Sequence, residues 1–271
     1  MKLCTIRRPD GSLHAAEYSD GAVYMIGGQL IDIIRKGGDV DISQRYRIQQ
    51  EVTITAPLIP SKILCVGRNY ADHAREMGRE MPDQPLIFSK FPSSVIGSGE
   101  VIRWRGALTQ KVDWEGELAV VIGQRVKDIR EEEAMDAVFG YVIANDVSAR
   151  DLQERDKQWA RAKGMDTFCP LGPYIVTKDE VPDPHTLTIE TYVNGQRMQR
   201  GSTADMFFRI PYLVSYLSQA FTLEPGDVIL TGTPAGVGGG MNPPRFLQDG
   251  DEVRVTIEPL GALVNRCHVV D

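Results

Sequence analysis

Long apolar runs, cysteine pairs and an excess of positive charge are all missing from this 271-residue chain. No stretch approaches the roughly 18 apolar residues of a membrane span, and the leading MKLCTIRRPDG lacks the apolar centre of a secretory signal. A soluble, cytoplasmic protein is therefore expected. The four cysteines, Cys4, Cys65, Cys169 and Cys267, lie far apart and form no C-x-x-C pair, which argues against a thiolate zinc site and against a disulfide framework. With 30 basic against 37 acidic residues the net charge is −7, so the overall field does not hold nucleic acid, although local basic patches stay open. There is no G-x-S-x-G elbow, no Walker A loop and no complete G-x-G-x-x-G fingerprint, and GVGGGMNPP lacks both the lysine and the spacing. Serine-hydrolase, nucleotide-hydrolase and dinucleotide functions lose their support.

What remains is ordinary globular composition, 42% hydrophobic and 25% charged, in a chain long enough for a small domain followed by a larger one. Residues 1–57 read as a small α+β module: a strand at Leu3–Arg8, a turn at Pro9-Asp10-Gly11, a short helix around Ile31–Lys36 and a strand at Val52–Ala56. Pro57 and Pro60 mark the boundary, and residues 58–271 form the second domain. That domain opens with a strand at Lys62–Val66 and a short helix that Asn69 could cap and Gly78 could end. Strand-like runs recur at 86–91, 117–122, 141–145, 173–177, 186–193, 227–231 and 252–258, with helices expected at 131–139, after Arg150 and at Ile210–Gln219. Asn194-Gly195 between two extended runs suits a type I′ hairpin turn. Many strands with occasional helices predict an α+β, mainly β fold rather than a doubly wound sheet.

One stretch asks for chemistry. In VDWEGELAVVIG, residues 112–123, Glu115 and Glu117 stand two apart on a strand, so they share a face, and the strand runs on into Leu118–Ile122, apolar enough to be buried. Carboxylates at the mouth of a buried strand are expensive when unpaired. A solvated edge is one answer; a hard dication is the other. The next apolar strand, GYVIANDVSARD, ends in Asp146, which is either a turn residue or a third oxygen ligand for Mg2+ or Mn2+. His73 and Glu76, three apart on the short helix, share a face, as a surface pair or as an imidazole whose basicity a carboxylate raises.

The segments VGRNYADHAREMG, FSKFPSSVIG, DWEGELAVVIG, NDVSARDLQ, KGMDTFCPLGPYIV, VNGQRMQ, ILTGTPAGVG and LGALVNR occur in the order and rough spacing of the fumarylacetoacetate hydrolase superfamily, from about residue 60 to 267. The resemblance implies a mixed β-sandwich roll, a homodimer, and Mg2+ or Mn2+ held by Glu115, Glu117 and Asp146. It implies a small 2-oxo acid as substrate, with His73 and Glu76 as a water-activating pair on a lid and Lys163 against the reacting carbonyl or enolate. Arg150 and Gln153 match polar site residues, Arg150 being equally a partner that orients Asp146. Lys90 serves either the carboxylates or the substrate acid. Thr233 and the glycine-rich TGTPAGVG backbone approach the substrate carboxylate from one wall, the Arg68 amide from the other. DWEGELA departs from the H-x-E-x-E form of the decarboxylase-type members, so three activities stay open. Cleavage of a C–C bond in a short 2,4-dioxo acid or decarboxylation of oxaloacetate comes first, and isomerisation or hydration of a 2-hydroxydienoate is the alternative. A non-enzymatic carboxylate binder would have no use for His73, Glu76 and Lys163 together.

Overall fold

The structure is a computed structural model that describes residues 1–40, 43 and 45–271. Its frame is one large mixed sheet, in which a fully buried strand, Gly116–Ile122, lies between Val138–Asn145 and Val228–Leu230. Every residue of Gly116–Ile122 and of Val138–Asn145 is buried, which explains why both read as unbroken apolar runs rather than as alternating ones. From Val228–Leu230 the sheet continues through Ile63–Gly67 to Leu86–Lys90, and on the other side through Cys169–Thr177 to Lys2–Arg7 and Leu13–Ser19.

A second sheet of five strands, in the order Gln196–Ser202, Thr188–Val193, Glu252–Ile257, Gly261–Val270 and Val101–Arg105, covers one face of the first. Alternation decides which side chains meet between the layers: Leu118, Val120 and Ile122 pack with Ile189, Val255, Ile257 and Leu263. Ala119, Val121, Val142 and Ile175 point the other way, onto Leu30, Ile33 and Ile34 of the helix Leu30–Arg35. This is the mixed β-sandwich architecture the sequence predicts.

Local chemistry explains most of the elements. Asn194 and Gly195 both take positive φ, 52° and 78°, as a type I′ turn requires, and close the hairpin between Thr188–Val193 and Gln196–Ser202. The helix Ile210–Ala220 has proline in its first turn and buries Leu213, Val214 and Leu217. Two expectations are corrected. The stretch predicted helical over 131–139 is a 3-10 helix only over Glu131–Ala137; Val138, Phe139 and Gly140 already belong to the buried strand, where a Cβ on Gly140 would fall 2.3 Å from the Val176 carbonyl oxygen. Asn69 does not cap the helix Ala71–Glu76, whose N-cap is Tyr70 without a side-chain bond. Instead, buried Asn69 donates from Nδ2 to the carbonyls of Phe208 (3.0 Å) and Thr231 (2.8 Å) and accepts from the Phe208 amide (2.7 Å).

Candidate active site

The end of the Gly116–Ile122 strand and the end of Val138–Asn145 lie side by side, with Gly116 paired to Asn145. That register brings Glu115, Glu117 and Asp146 together: one carboxylate oxygen from each lies within 4.8 Å of the others, and all three residues are buried. Asn145 helps to set the corner, its Oδ1 accepting from the Glu115 amide at 3.0 Å.

Cations surround this cluster unevenly. Lys163 Nζ donates to Glu115 Oε2 and to Asp146 Oδ2, both at 2.7 Å, and Lys90 Nζ donates to Asp146 Oδ1 at 2.5 Å and to the Val147 carbonyl at 3.2 Å. Arg150 Nη1 lies 2.7 Å from Glu115 Oε1. Among the described residues Glu117 has no such partner; its Oε2 accepts the Gly232 amide at 2.7 Å. The acidities follow. Burial would raise the Glu115 carboxyl, but Lys163 and Arg150 overcome it and hold the group well below the usual carboxylate range. Burial pushes Glu117 well above that range, and the negative Asp146 and Glu115 push it further. Burial works against the Lys163 ammonium, yet Asp146 and Glu115 raise its pKa, so it stays charged.

An all-oxygen donor set with one carboxylate short of positive charge is what a hard dication fits. The triad could therefore hold a metal ion through Glu115, Glu117 and Asp146.

The triad opens into a cavity of about 990 Å3. Of the residues singled out in the sequence, Arg68, His73, Glu115, Glu117, Arg150, Gln153, Lys163 and Thr233 line it. Lys90, Asp146 and Glu76 do not line it, and of the two roles open to Lys90 its contacts are those of a carboxylate partner. His73 Nδ1 lies 2.9 Å from Glu76 Oε1, and Glu76 Oε2 accepts the Gly236 amide at 2.9 Å, so the helix Ala71–Glu76 and the glycine-rich loop dock on each other. The Thr233 hydroxyl donates to the Gly116 carbonyl and accepts from Gln199 Nε2, both at 2.8 Å, and so ties that loop to the strand that carries Glu117. Arg68 takes a left-handed backbone, φ 54°, beside the pinned Asn69. Asp113 was not singled out, although it shares the parity of Glu115 and Glu117; it bonds Arg150 and the loop rather than the triad.

These features agree with the comparisons. Residues 62–268 match the family model described as fumarylacetoacetate hydrolase C-terminal. The chain belongs to the fumarylacetoacetate hydrolase family. It is 48% identical over 242 residues to a protein named oxaloacetate tautomerase of Bacillus subtilis, covering 88% of this chain and 80% of the relative. It is 51% identical over 222 residues to a mitochondrial oxaloacetate tautomerase of Homo sapiens, covering 80% of this chain and 70% of the relative. Among solved structures, a fumarylacetoacetate hydrolase of Exiguobacterium antarcticum superposes with a TM-score of 0.91 at 42% identity, and a 5-carboxymethyl-2-hydroxymuconate delta-isomerase of Mycobacterium smegmatis with 0.84 at 41%, each over the full length of both chains. The protein is thus a fumarylacetoacetate hydrolase family enzyme. Among the described residues no helix is long and apolar enough to cross a membrane.

Proposed function

We propose that this enzyme interconverts the keto and enol forms of oxaloacetate. The observation that carries the proposal is the sharing of one cavity by the carboxylates Glu115 and Glu117, the Lys163 ammonium and the His73 imidazole. Relatives near 50% identity that are named oxaloacetate tautomerases supply the substrate. Tautomerisation moves one proton between C3 and the oxygen on C2, and its barrier is the negative charge that gathers on that oxygen when the C–H bond breaks. Glu76 accepts from Nδ1–H of His73, which leaves Nε2 as the base that takes the C3 proton and then delivers it to the oxygen on C2, the reverse path giving the keto form. Lys163, kept charged by its two carboxylates, faces the oxygen where charge develops. A Mg2+ or Mn2+ ion bound by Glu115, Glu117 and Asp146 would supply Lewis-acid stabilisation of the enolate. Gln153 and the backbone at Arg68 and Thr233 orient the acid groups. The same proposal takes the protein as a cytoplasmic homodimer, which sedimentation and cell fractionation test.

A hydroxymuconate-type isomerisation rests on the same proton transfer, and three structural neighbours carry isomerase names. Cleavage of an acylpyruvate or loss of CO2 from oxaloacetate would instead use the His73–Glu76 pair on a water or release pyruvate. The deciding experiment follows enol decay by ultraviolet absorbance, with coupled detection of pyruvate, on oxaloacetate, acetylpyruvate, fumarylpyruvate and a hydroxymuconate, each with and without EDTA. Enol–keto exchange faster than pyruvate release supports the proposal. Pyruvate formation at the rate of enol loss overturns it in favour of cleavage or decarboxylation.

A further inference from the structure

The D-x-E-x-E segment places a third carboxylate, Asp113, two residues before Glu115, and nothing in the proposed chemistry uses it. It is fully buried, and both its oxygens are occupied. Oδ1 accepts the amides of Gly238 (2.7 Å) and Trp114 (2.8 Å); Oδ2 accepts the Gly239 amide (2.9 Å) and Arg150 Nε (2.8 Å). Four donors saturate a carboxylate. Arg150 in turn reaches Glu115 Oε1 at 2.7 Å and Gln153 Oε1 at 3.1 Å through Nη1, while its buried Nη2 has no partner among the described residues. The loop fits closely: a Cβ on Gly238 would lie 1.9 Å from the Arg245 carbonyl oxygen, and one on Gly239 would lie 3.3 Å from Asp113 Oδ2 and 3.5 Å from Arg150 Nε.

We propose that Asp113 is a positioning residue that divides the charge of Arg150 between itself and Glu115 and clamps Gly238–Gly239 over the cavity. Charge counting shows why the division matters. Three ion-paired carboxylates, Asp113, Glu115 and Asp146, stand against three cations, Lys90, Lys163 and Arg150, so any cation charge that Asp113 does not hold falls on the triad. With Asp113 holding one side of the guanidinium, Glu115 keeps electron density for a dication. Without it, Arg150 swings wholly onto Glu115 and competes with that ion. The fork geometry suits this division, because Arg150 meets Asp113 through Nε and Glu115 through Nη1, two separate nitrogens held at a fixed spread in one plane, where an ammonium offers a single nitrogen. Asp113 thus acts through Arg150 rather than on substrate.

The inference rests on the proposed activity for its kinetic readout only, so Mn2+ binding, measured by electron paramagnetic resonance of free ion without turnover, is the second. Asp113→Asn, Arg150→Gln and the double variant are compared in the full chain. Asp113→Asn is expected to weaken Mn2+ binding and to lower kcat for oxaloacetate tautomerisation by roughly 10- to 100-fold, with KM changed less than about threefold. In the Arg150→Gln background the same substitution changes either quantity by less than about threefold, since its partner is gone. Equal losses in both backgrounds would overturn the proposal and leave Asp113 a purely structural residue. Should Asp113→Asn fail to fold, Arg150→Lys carries the test: weakened Mn2+ binding and lowered kcat support the fork, and wild-type values for both overturn it. Wild-type protein without tautomerase activity would sink the proposed function while the Mn2+ comparison still decides the role of Asp113.

Discussion

Glu76 holds His73 by a 2.9 Å contact between Oε1 and Nδ1, and the other oxygen of Glu76 is fixed by the Gly236 amide. The imidazole is thus oriented by a carboxylate that is itself anchored to the opposite wall. His73→Gln is expected to lower kcat for tautomerisation by about 10^2- to 10^4-fold, with Mn2+ affinity changed little because, among the described residues, the His73 ring bonds Glu76 and no triad carboxylate. Retained turnover would remove this residue from the proton path. Glu76→Gln should cost less in kcat but should also loosen the loop at Gly236, seen as faster amide hydrogen exchange there.

Glu117 is the carboxylate with least positive company, and burial together with Asp146 and Glu115 disfavours its charge. Chelation with EDTA should therefore abolish catalysis and lower Tm, and Mg2+ at a hundred times its Kd should restore about 2.7 kcal/mol of stability. Glu117→Gln is expected to raise Tm in EDTA, since the amide removes the cost of burying an acid whose charge its surroundings disfavour, and to abolish the gain from Mg2+. A variant less stable than wild type in EDTA would show that Glu117 is not destabilised in the metal-free protein.

Asn69 joins three segments by bonds that span 139 and 162 residues of sequence. Its replacement by leucine leaves two carbonyls and one amide buried without partners, at a cost of about 1–3 kcal/mol for each. Denaturant unfolding should register a loss of at least about 3 kcal/mol. A loss below about 1 kcal/mol would mean that water or a local shift satisfies those groups.

His185 gives a pH dependence whose sign can be worked out. Burial lowers its pKa against the opposing pull of Asp183, and Nε2 accepts the amide of Ile210 at 3.2 Å, a role only the unprotonated ring can fill. The unfolded chain therefore binds the proton more readily than the folded one. This contribution is fully present above the unfolded pKa near 6.5 and is lost as pH falls through the lower folded value. Melting curves between pH 7.5 and 5 should show wild type losing more Tm on acidification than His185→Gln; parallel losses would exclude this residue as the source.

The triad was legible because each member sits where an apolar run stops, and burial of a carboxylate demands compensation that only a few chemistries give. The hairpin at Asn194-Gly195 was legible for the same local reason, since φ above zero restricts the residue types. Asn69 was misjudged because its partners are distant in sequence, and an asparagine before a short helix carries the same local pattern whether it caps or pins. The hairpin of Leu13–Ser19 with Ala22–Met25 and the strand Val101–Arg105 escaped notice. Val101–Arg105 alternates, with Ile102 and Trp104 buried and Arg103 and Arg105 exposed, but the run is short and its parallel partner, Gly261–Val270, lies about 160 residues later. Asp113 shares the parity of the two glutamates, yet parity alone cannot tell a ligand from a residue that faces an arginine.

Lys2–Arg7 pairs with Cys169–Thr177, and Leu3, Cys4 and Ile6 are buried in the process. The leading strands therefore act as an edge guard for the sheet that carries the triad. Cutting the chain after residue 57 would strip an apolar rim bare and leave its amides and carbonyls ready to recruit another molecule. Such a fragment should form aggregates even though every proposed ligand and acid–base residue survives in it.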